Sequence, residues 1–281
     1  MHAAPSAADG AAVDAARHLL ALRRNDFFLR WKHAVRLPDP ERIHQLRVSS
    51  RRLREALLLF APLLPPKDVP LLLKKVRKVT RSLGALRNLD EAAAFFSNLT
   101  DPAARDLASR FRRKRTAEVR RLGTLMQPRR RRKLRRHLAA CIPQQRGATT
   151  FSEYCREALR GASSAVLELV PAAAFEEAAD AQHELRIALK HYRYRVELAA
   201  DAFPSGLPPQ YSSCKEYQEI LGILHDLDVF AAAAREKLRG EPRRRVLEAI
   251  GTARGRAFAL FRQRLAEVPL PELTRRIGEG L

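Results

Sequence analysis

Ile43-His44-Gln45-Leu46-Arg47-Val48-Ser49-Ser50-Arg51-Arg52-Leu53-Arg54 is the stretch whose reading decides the fold. Placed on a helix at about 100° per residue, His44, Arg47, Arg51 and Arg54 fall within about 80° of one another. Leu46, Leu53, Leu57 and Phe60 fall opposite, within about 60°. One face asks for a core. The other is a ladder of cations with no acid between its rungs. A near-copy begins later: His183-Glu184-Leu185-Arg186-Ile187-Ala188-Leu189-Lys190-His191-Tyr192-Arg193-Tyr194. His183, Arg186, Lys190 and Arg193 repeat the ladder position for position.

A second landmark repeats as well. Leu83-Gly84-Ala85-Leu86-Arg87-Asn88-Leu89-Asp90 returns as Leu221-Gly222-Ile223-Leu224-His225-Asp226-Leu227-Asp228. The two histidines are 139 residues apart and the two glycines 138. Landmarks some forty residues from each other thus keep their offset to within one residue, which reads as a duplicated helical unit.

Between the landmarks the apolar spacing is helical and no useful β-type alternation occurs. Residues 11–36 read as an amphipathic helix stopped by Leu37-Pro38. Asp39-Pro40-Glu41 is a helix start, with a capping acid and then proline at the first helical position. That helix runs to about Phe60. A second two-faced helix covers about Lys67 to Leu83. In it Lys74, Arg77, Lys78 and Arg81 lie within about 100°, opposite Leu72, Val76, Val79 and Leu83. Gly84 reads as a helix cap or a point of close helix contact, with a short helix after it to about Asn98; Gly222 reads the same way. Asp101-Pro102 opens a helix to about Met126. Pro128 opens another through the basic run Arg129–Arg136, where Leu134 and Leu138 mark a thin buried stripe. The second half repeats the pattern, with helices from about Ser152 to Leu169, from His183 to about Phe203, at Tyr211–Leu221, and from Pro242 and Pro271. The expectation is an all-α protein of two related, four-helix-type bundles. Residues 1–10 form a flexible tail, 11–143 the first bundle, 144–150 a linker and 151–281 the second bundle.

The charge balance narrows the partner. Among 281 residues, 53 Lys and Arg stand against 31 Asp and Glu, a formal net charge of +22. Such an excess repels itself in a compact state and is most easily explained by a polyanion. With 46% hydrophobic residues the chain is no disordered basic tail. No run of about 18 apolar residues exists to span a bilayer, and the N-terminus lacks a signal-peptide pattern. Cys141, Cys155 and Cys214 have no C-x-x-C spacing, which suggests reduced thiols in a cytoplasmic protein rather than a disulfide framework or zinc site. No cofactor is expected.

These residues carry a resemblance. His44-x-Leu46-Arg47-Val48-x-x-Arg51-Arg52-Leu53-Arg54, its copy at His183 and the two Leu-Gly segments resemble the signature of the CHAD family, the conserved histidine α-helical domain. The likeness spans about residue 11 to the end. It implies two helical bundles related by a pseudo-twofold axis, with basic residues facing a central groove or pore that binds inorganic polyphosphate. Some relatives are fused to a triphosphatase tunnel domain with a Glu-x-Glu-x-Lys motif. That motif is absent here, so the resemblance points to a stand-alone binding module, and some of these associate with polymer storage granules. The match departs at Lys190, His191 and His225, which stand where the first half has Arg51, Arg52 and Arg87. The helix before Gly222 carries Lys215 where the first half has four cations. The first half is therefore expected to contribute more.

The residue types suit such a ligand. Polyphosphate carries roughly one negative charge per internal unit and no bases to read. Arg offers a rigid fork of donors and Lys a compact point charge. Three- and four-residue spacings place them about 5–6 Å apart along one side of a helix. The expected ligand set is His44, Arg47, Arg51, Arg54, Lys74, Lys78, Arg81, Arg87, His183, Arg186, Lys190 and Arg193, with Arg52, Arg77, Lys215 and His225 as second choices. Neighbouring cations should depress the histidine pKa values, and a bound polyanion should raise them, so binding should tighten below about pH 6.5. Asp90 and Asp228 are expected to orient arginines or cap helices.

Other readings compete. A basic ladder is often only a solvated helix face, but this one occurs twice with histidine at its head. Metal binding by His44 and His183 lacks a joining carboxylate or thiol. A nucleic-acid binder explains the charge, but not the 6% aromatic content or the repeated histidine. An enzyme acting on phosphate polymers would need paired carboxylates or a metal cluster, and the motifs supply neither.

Overall fold

The computed structural model describes residues 10–144 and 148–281. The expected tail lies outside them except for Gly10, and the middle of the expected linker, residues 145–147, lies outside them as well. The described residues form helices joined by turns: α1 (Ala12–Arg36), α2 (Pro40–Leu59), α3 (Val69–Asn98), α4 (Pro102–Leu125), α5 (Pro128–Ala140), α6 (Phe151–Leu167), α7 (Val170–Ala173), α8 (Ala179–Leu198), α9 (Tyr211–Lys237), α10 (Gly240–Glu267) and α11 (Leu270–Glu279). Among them there is no strand, only an isolated bridge between Ala11 and Thr150. The all-α expectation therefore holds.

The chain divides into two compact units. One holds the chain up to Ala94 together with Ser109–Phe151, and the other Phe95–Ala108 together with Ser152–Leu281. Phe95–Ala108, expected inside the first bundle, thus belongs to the second unit. Aromatic packing and one ion pair account for it. Phe95 and Phe96 lie 4.9 and 5.7 Å from the Phe230 ring, and Asp101 meets the Arg245 guanidinium at 2.8 Å.

In the first unit, the sequence signals act as local physics predicts. Asp39 caps α2 by accepting a hydrogen bond from the Arg42 amide at 2.8 Å, with Pro40 at the first helical position. The apolar stripe of α2, Leu46, Leu53 and Leu57, is buried against Phe27, Trp31, Leu72, Val76, Val79 and Leu83. Each such burial is worth roughly 1.5–3 kcal/mol relative to exposure. Phe27 and Trp31 meet edge to face at 5.4 Å, and the indole N–H donates to the Met126 carbonyl at 3.2 Å. In α5, Leu134 and Leu138 are the buried stripe of an otherwise basic helix.

The second unit is built on Leu185, Leu189, Tyr192, Tyr217, Leu221, Leu224 and Phe261, all buried. The Tyr217 hydroxyl donates to the Val268 carbonyl at 2.6 Å, which joins α9 to the end of α10. Cys141, Cys155 and Cys214 are all buried and free. No helix among the described residues is long and apolar enough to cross a membrane.

The glycines correct one expectation. Neither caps a helix: α3 runs straight through Gly84, and α9 through Gly222. A glycine inside a helix costs about 1 kcal/mol relative to alanine. Leu83, Leu86 and Leu89 in α3, like Leu221, Leu224 and Leu227 in α9, are buried at helical spacing and outweigh that cost. Nor does close helix contact require either glycine: at Gly84 a Cβ would meet only Arg47 Nε, at an ordinary contact distance of 3.9 Å, and at Gly222 nothing within 4 Å.

The Asp39 cap gives a stability test. Asp39→Ala should lower unfolding stability by about 1 kcal/mol. The change should appear as a lower urea midpoint with an unaltered slope.

Candidate functional site

In the first unit the expected cations lie on two helices, α2 and α3. On α2, His44, Arg47, Arg51 and Arg54 are half-buried, as is Arg52 beside them. On α3, Lys74, Arg77, Lys78 and Arg81 are exposed and Arg87 is half-buried. The α2/α3 seam carries a hydrogen bond of 3.1 Å from Thr80 Oγ1 to Ser50 Oγ. Among the described residues no carboxylate pairs with Arg51, Lys74, Arg77, Lys78 or Arg81. Arg87 pairs with Glu91.

His44 sits at the head of the α2 run. Burial lowers its pKa, and the charges of Arg87, Arg47 and Arg51 push the same way against Glu41. Its Nδ1 is buried without a hydrogen-bond partner. A buried polar atom of this kind is costly to leave unmet.

The second unit arranges the matching residues differently. His183, Arg186 and Lys190 are half-buried on α8. His183 Nδ1 lies 2.9 Å from His225 Nδ1 of α9, with ring centroids 4.3 Å apart. One of the facing nitrogens must therefore carry a proton and the other accept it. Burial lowers the His225 pKa to about 4, aided by Arg186 and His183 and opposed by Asp228. His183 is lowered by burial, then by Arg186 and Lys190. The His183–His225 contact joins the positions that match His44 and Arg87 in the first unit.

Arg193 departs from the expected ladder. It is only 8% exposed. Its Nε donates to Gln218 Oε1 at 2.8 Å and its Nη1 to the Tyr211 hydroxyl at 2.7 Å, with Glu197 at 3.8 Å. The guanidinium also lies 4.3 Å from the Tyr194 ring centroid. A buried cation persists only with such partners. Arg193 therefore holds α8 to α9 rather than standing with His183, Arg186 and Lys190. Lys215 is exposed, with its ammonium 4.8 Å from the Tyr211 ring.

Asp90 and Asp228 each hold an arginine, as expected of them, but the arginines were not foreseen. Asp90 of α3 pairs with Arg115 of α4. Asp228 of α9 pairs with Arg254 of α10 at 2.6 Å. Arg254 also donates to the Glu176 carbonyl and to Gln182 Oε1, each at 2.9 Å. Arg115 and Arg254 stand 139 residues apart, the same offset as the histidines. A search at that offset would have found them.

On α5, Arg129, Arg132, Arg135 and Arg136 line an open cavity of about 570 Å³. No group of three metal-ligating side chains exists among the described residues.

Comparison with known proteins fits this picture. The family model described as the CHAD domain matches residues 15–235. The crystal structure of the CHAD domain from the plant Ricinus communis is similar over 100% of this chain and 98% of its own, with a TM-score of 0.68 and 24% identity. PptA from Streptomyces chartreusis is similar over 96% of this chain and 100% of its own, with a TM-score of 0.56 and 20% identity. At those identities the two structures speak to the fold. No functionally curated protein matches the chain.

The histidines imply a pH-dependent stability. His225 titrates near 4 in the fold, against about 6.5 when unfolded. The unfolded chain therefore binds more protons between those values, and stability should be full above about pH 6.5 and fall toward pH 4. His225→Asn should shrink the drop in urea midpoint between pH 7.5 and pH 5. An unchanged drop would assign the pH dependence to other groups.

Proposed function

Because the chain belongs to the CHAD domain family, we propose that it is a non-catalytic binder of inorganic polyphosphate, held by cation ladders built twice by an internal duplication. One observation carries the reading. In each unit a histidine heads a run of cations on a helix whose opposite face is buried, and in the first unit Arg51 of that run and Lys74, Arg77, Lys78 and Arg81 of α3 have no carboxylate partner among the described residues. The repeat of the Asp–Arg pairs, within one residue of the offset of the histidines, supports the duplication. In this proposal His44, Arg47, Arg51, Arg54, Lys74, Lys78, Arg81 and Arg87 contact phosphate from the first unit. His183, Arg186 and Lys190 do so from the second, and Arg193 acts by positioning α8. In this proposal the protein acts in the cytoplasm, at polyphosphate or polymer storage granules.

The chemistry follows from spacing and charge. Phosphate oxygens accept from successive rungs, and each charge-assisted hydrogen bond is worth about 1.5–3 kcal/mol. Burial of Leu46, Leu53 and Leu57 fixes the α2 rungs in advance, which reduces the ordering lost on binding. His44 Nδ1 gains the partner it lacks once protonated beside a phosphate.

Titration with long polyphosphate and with a DNA single strand of equal charge tests the proposal. Arg47→Ala/Arg51→Ala should weaken polyphosphate binding by roughly a hundredfold, at about tenfold or more per lost charge-assisted contact. Raising salt from 50 to 200 mM should also cost roughly three hundredfold if about six contacts form with the salt slope of a single-stranded polyanion. DNA binding as tight as polyphosphate at matched salt would favour a nucleic-acid role instead. Phosphate release above a buffer control would overturn the non-catalytic reading.

A pH series on the same complex adds an independent check. Since the free-state pKa values of His44, His183 and His225 are lowered, a bound polyanion that raises them must draw protons in. The dissociation constant should therefore fall as pH drops from 7.5 to 5.5. A constant value would remove the histidines from the binding mechanism.

A further inference from the structure

We propose a second, separate ligand site in the first unit: a pocket bounded by α1, α3, α5 and the end of α4 that takes a small organic phosphate with one flat apolar ring. The cavity holds about 270 Å³. That is near the lower end of ligand pockets, which run from about 300 to 1,000 Å³, so it suits one ring rather than a dinucleotide.

Its floor and rim differ in kind. Trp31, Val79 and Leu134 are buried, Leu125 is half-buried, and together they make an apolar floor. Lys75, Lys78, Arg130 and Lys133 make the rim, with no acid lining the pocket. None of these four cations pairs with a carboxylate among the described residues. An apolar floor under unpaired cations matches a ligand with a hydrophobic body and an anionic head.

The rim is partly set in place. Lys75 Nζ lies 2.6 Å from His137 Nδ1, so one donor is held where the head group would arrive. Burial and the charge of Lys133 both lower the Lys75 pKa, a strain that an added anion would relieve. Trp31 is pinned by its bond to Met126, which fixes the floor. A bare phosphate would leave that floor unfilled. A phosphate polymer has no apolar part to fill it.

This site does not rest on the polyphosphate reading. Lys78 alone belongs to both residue sets. Lys75, Arg130 and Lys133 lie outside the ladders, and the chain's single tryptophan sits in the pocket floor.

Trp31 emission, supported by calorimetry, reads the site directly. Phenyl phosphate should change the emission saturably. Inorganic phosphate and phenol, each carrying half of the ligand's chemistry, should bind at least tenfold more weakly, by the loss of a charge-assisted contact set or of the apolar burial. Arg130→Ala and Lys133→Ala alter exposed side chains and should each weaken phenyl phosphate by roughly tenfold. Arg47→Ala/Arg51→Ala should leave it unchanged, whatever that variant does to polyphosphate. Equal binding of phenyl phosphate and inorganic phosphate would reduce the pocket to a cation patch and overturn the proposal. So would the absence of both heat and emission change, or unaltered affinity in the Arg130 and Lys133 variants.

Discussion

The structure depends on a constraint of electrostatics: like charges must be held a few ångströms apart along one side of a helix without acids between them. Adjacent like charges on a helix destabilise it by roughly 0.2–0.5 kcal/mol per pair. Burying one leucine returns roughly 1.5–3 kcal/mol. Leu46, Leu53 and Leu57 under α2, and Leu185 and Leu189 under α8, therefore outweigh the repulsion on the opposite faces. The ladders exist because greasy stripes hold them. What repulsion remains favours any anion that arrives.

The two units settle their internal charge in different ways. In the first, the α3 cations Lys74, Arg77, Lys78 and Arg81 stay exposed, and His44 keeps a buried nitrogen unmet. In the second, the matching histidine meets His225, and the last rung of the ladder, Arg193, is drawn into a network with Glu197, Tyr211 and Gln218. One substitution underlies much of this contrast. Where the first unit sets Arg87 near His44, the second sets a histidine whose burial keeps it neutral at physiological pH. At the matched helix positions the first unit thus leaves more cations exposed than the second.

Most of the helical frame was legible because its signals are local. Asp39 and Pro40 start α2 where a cap and an N-terminal proline must, and Leu134 and Leu138 are the buried stripe of α5 that their spacing indicates. The roles of Asp90 and Asp228 were also readable, since an acid among so many cations has an obvious use. The misreadings share a different origin. Gly84 and Gly222 look like breaks only when the buried leucines around them are ignored. Phe95 and Phe96, in the short helix expected to end near Asn98, read as part of the first bundle until Phe230, far along the chain, supplies their partner.

The sequence by itself determined the helices, the family, the repeated landmarks and the identity of the charged faces. Each of these follows from periodicity, capping chemistry or a fixed offset, all of which act within one helix or one count along the chain. Only the tertiary structure decided which cations remain available. Arg193 was turned inward by Tyr211 and Glu197, Arg115 and Arg254 were claimed by aspartates of other helices, and four cations from α3 and α5 were gathered around a tryptophan floor. The physical reason is that a side chain's charge is spent on whichever partner packing brings near it, and that partner is chosen by contacts between helices that no single stretch of sequence encodes.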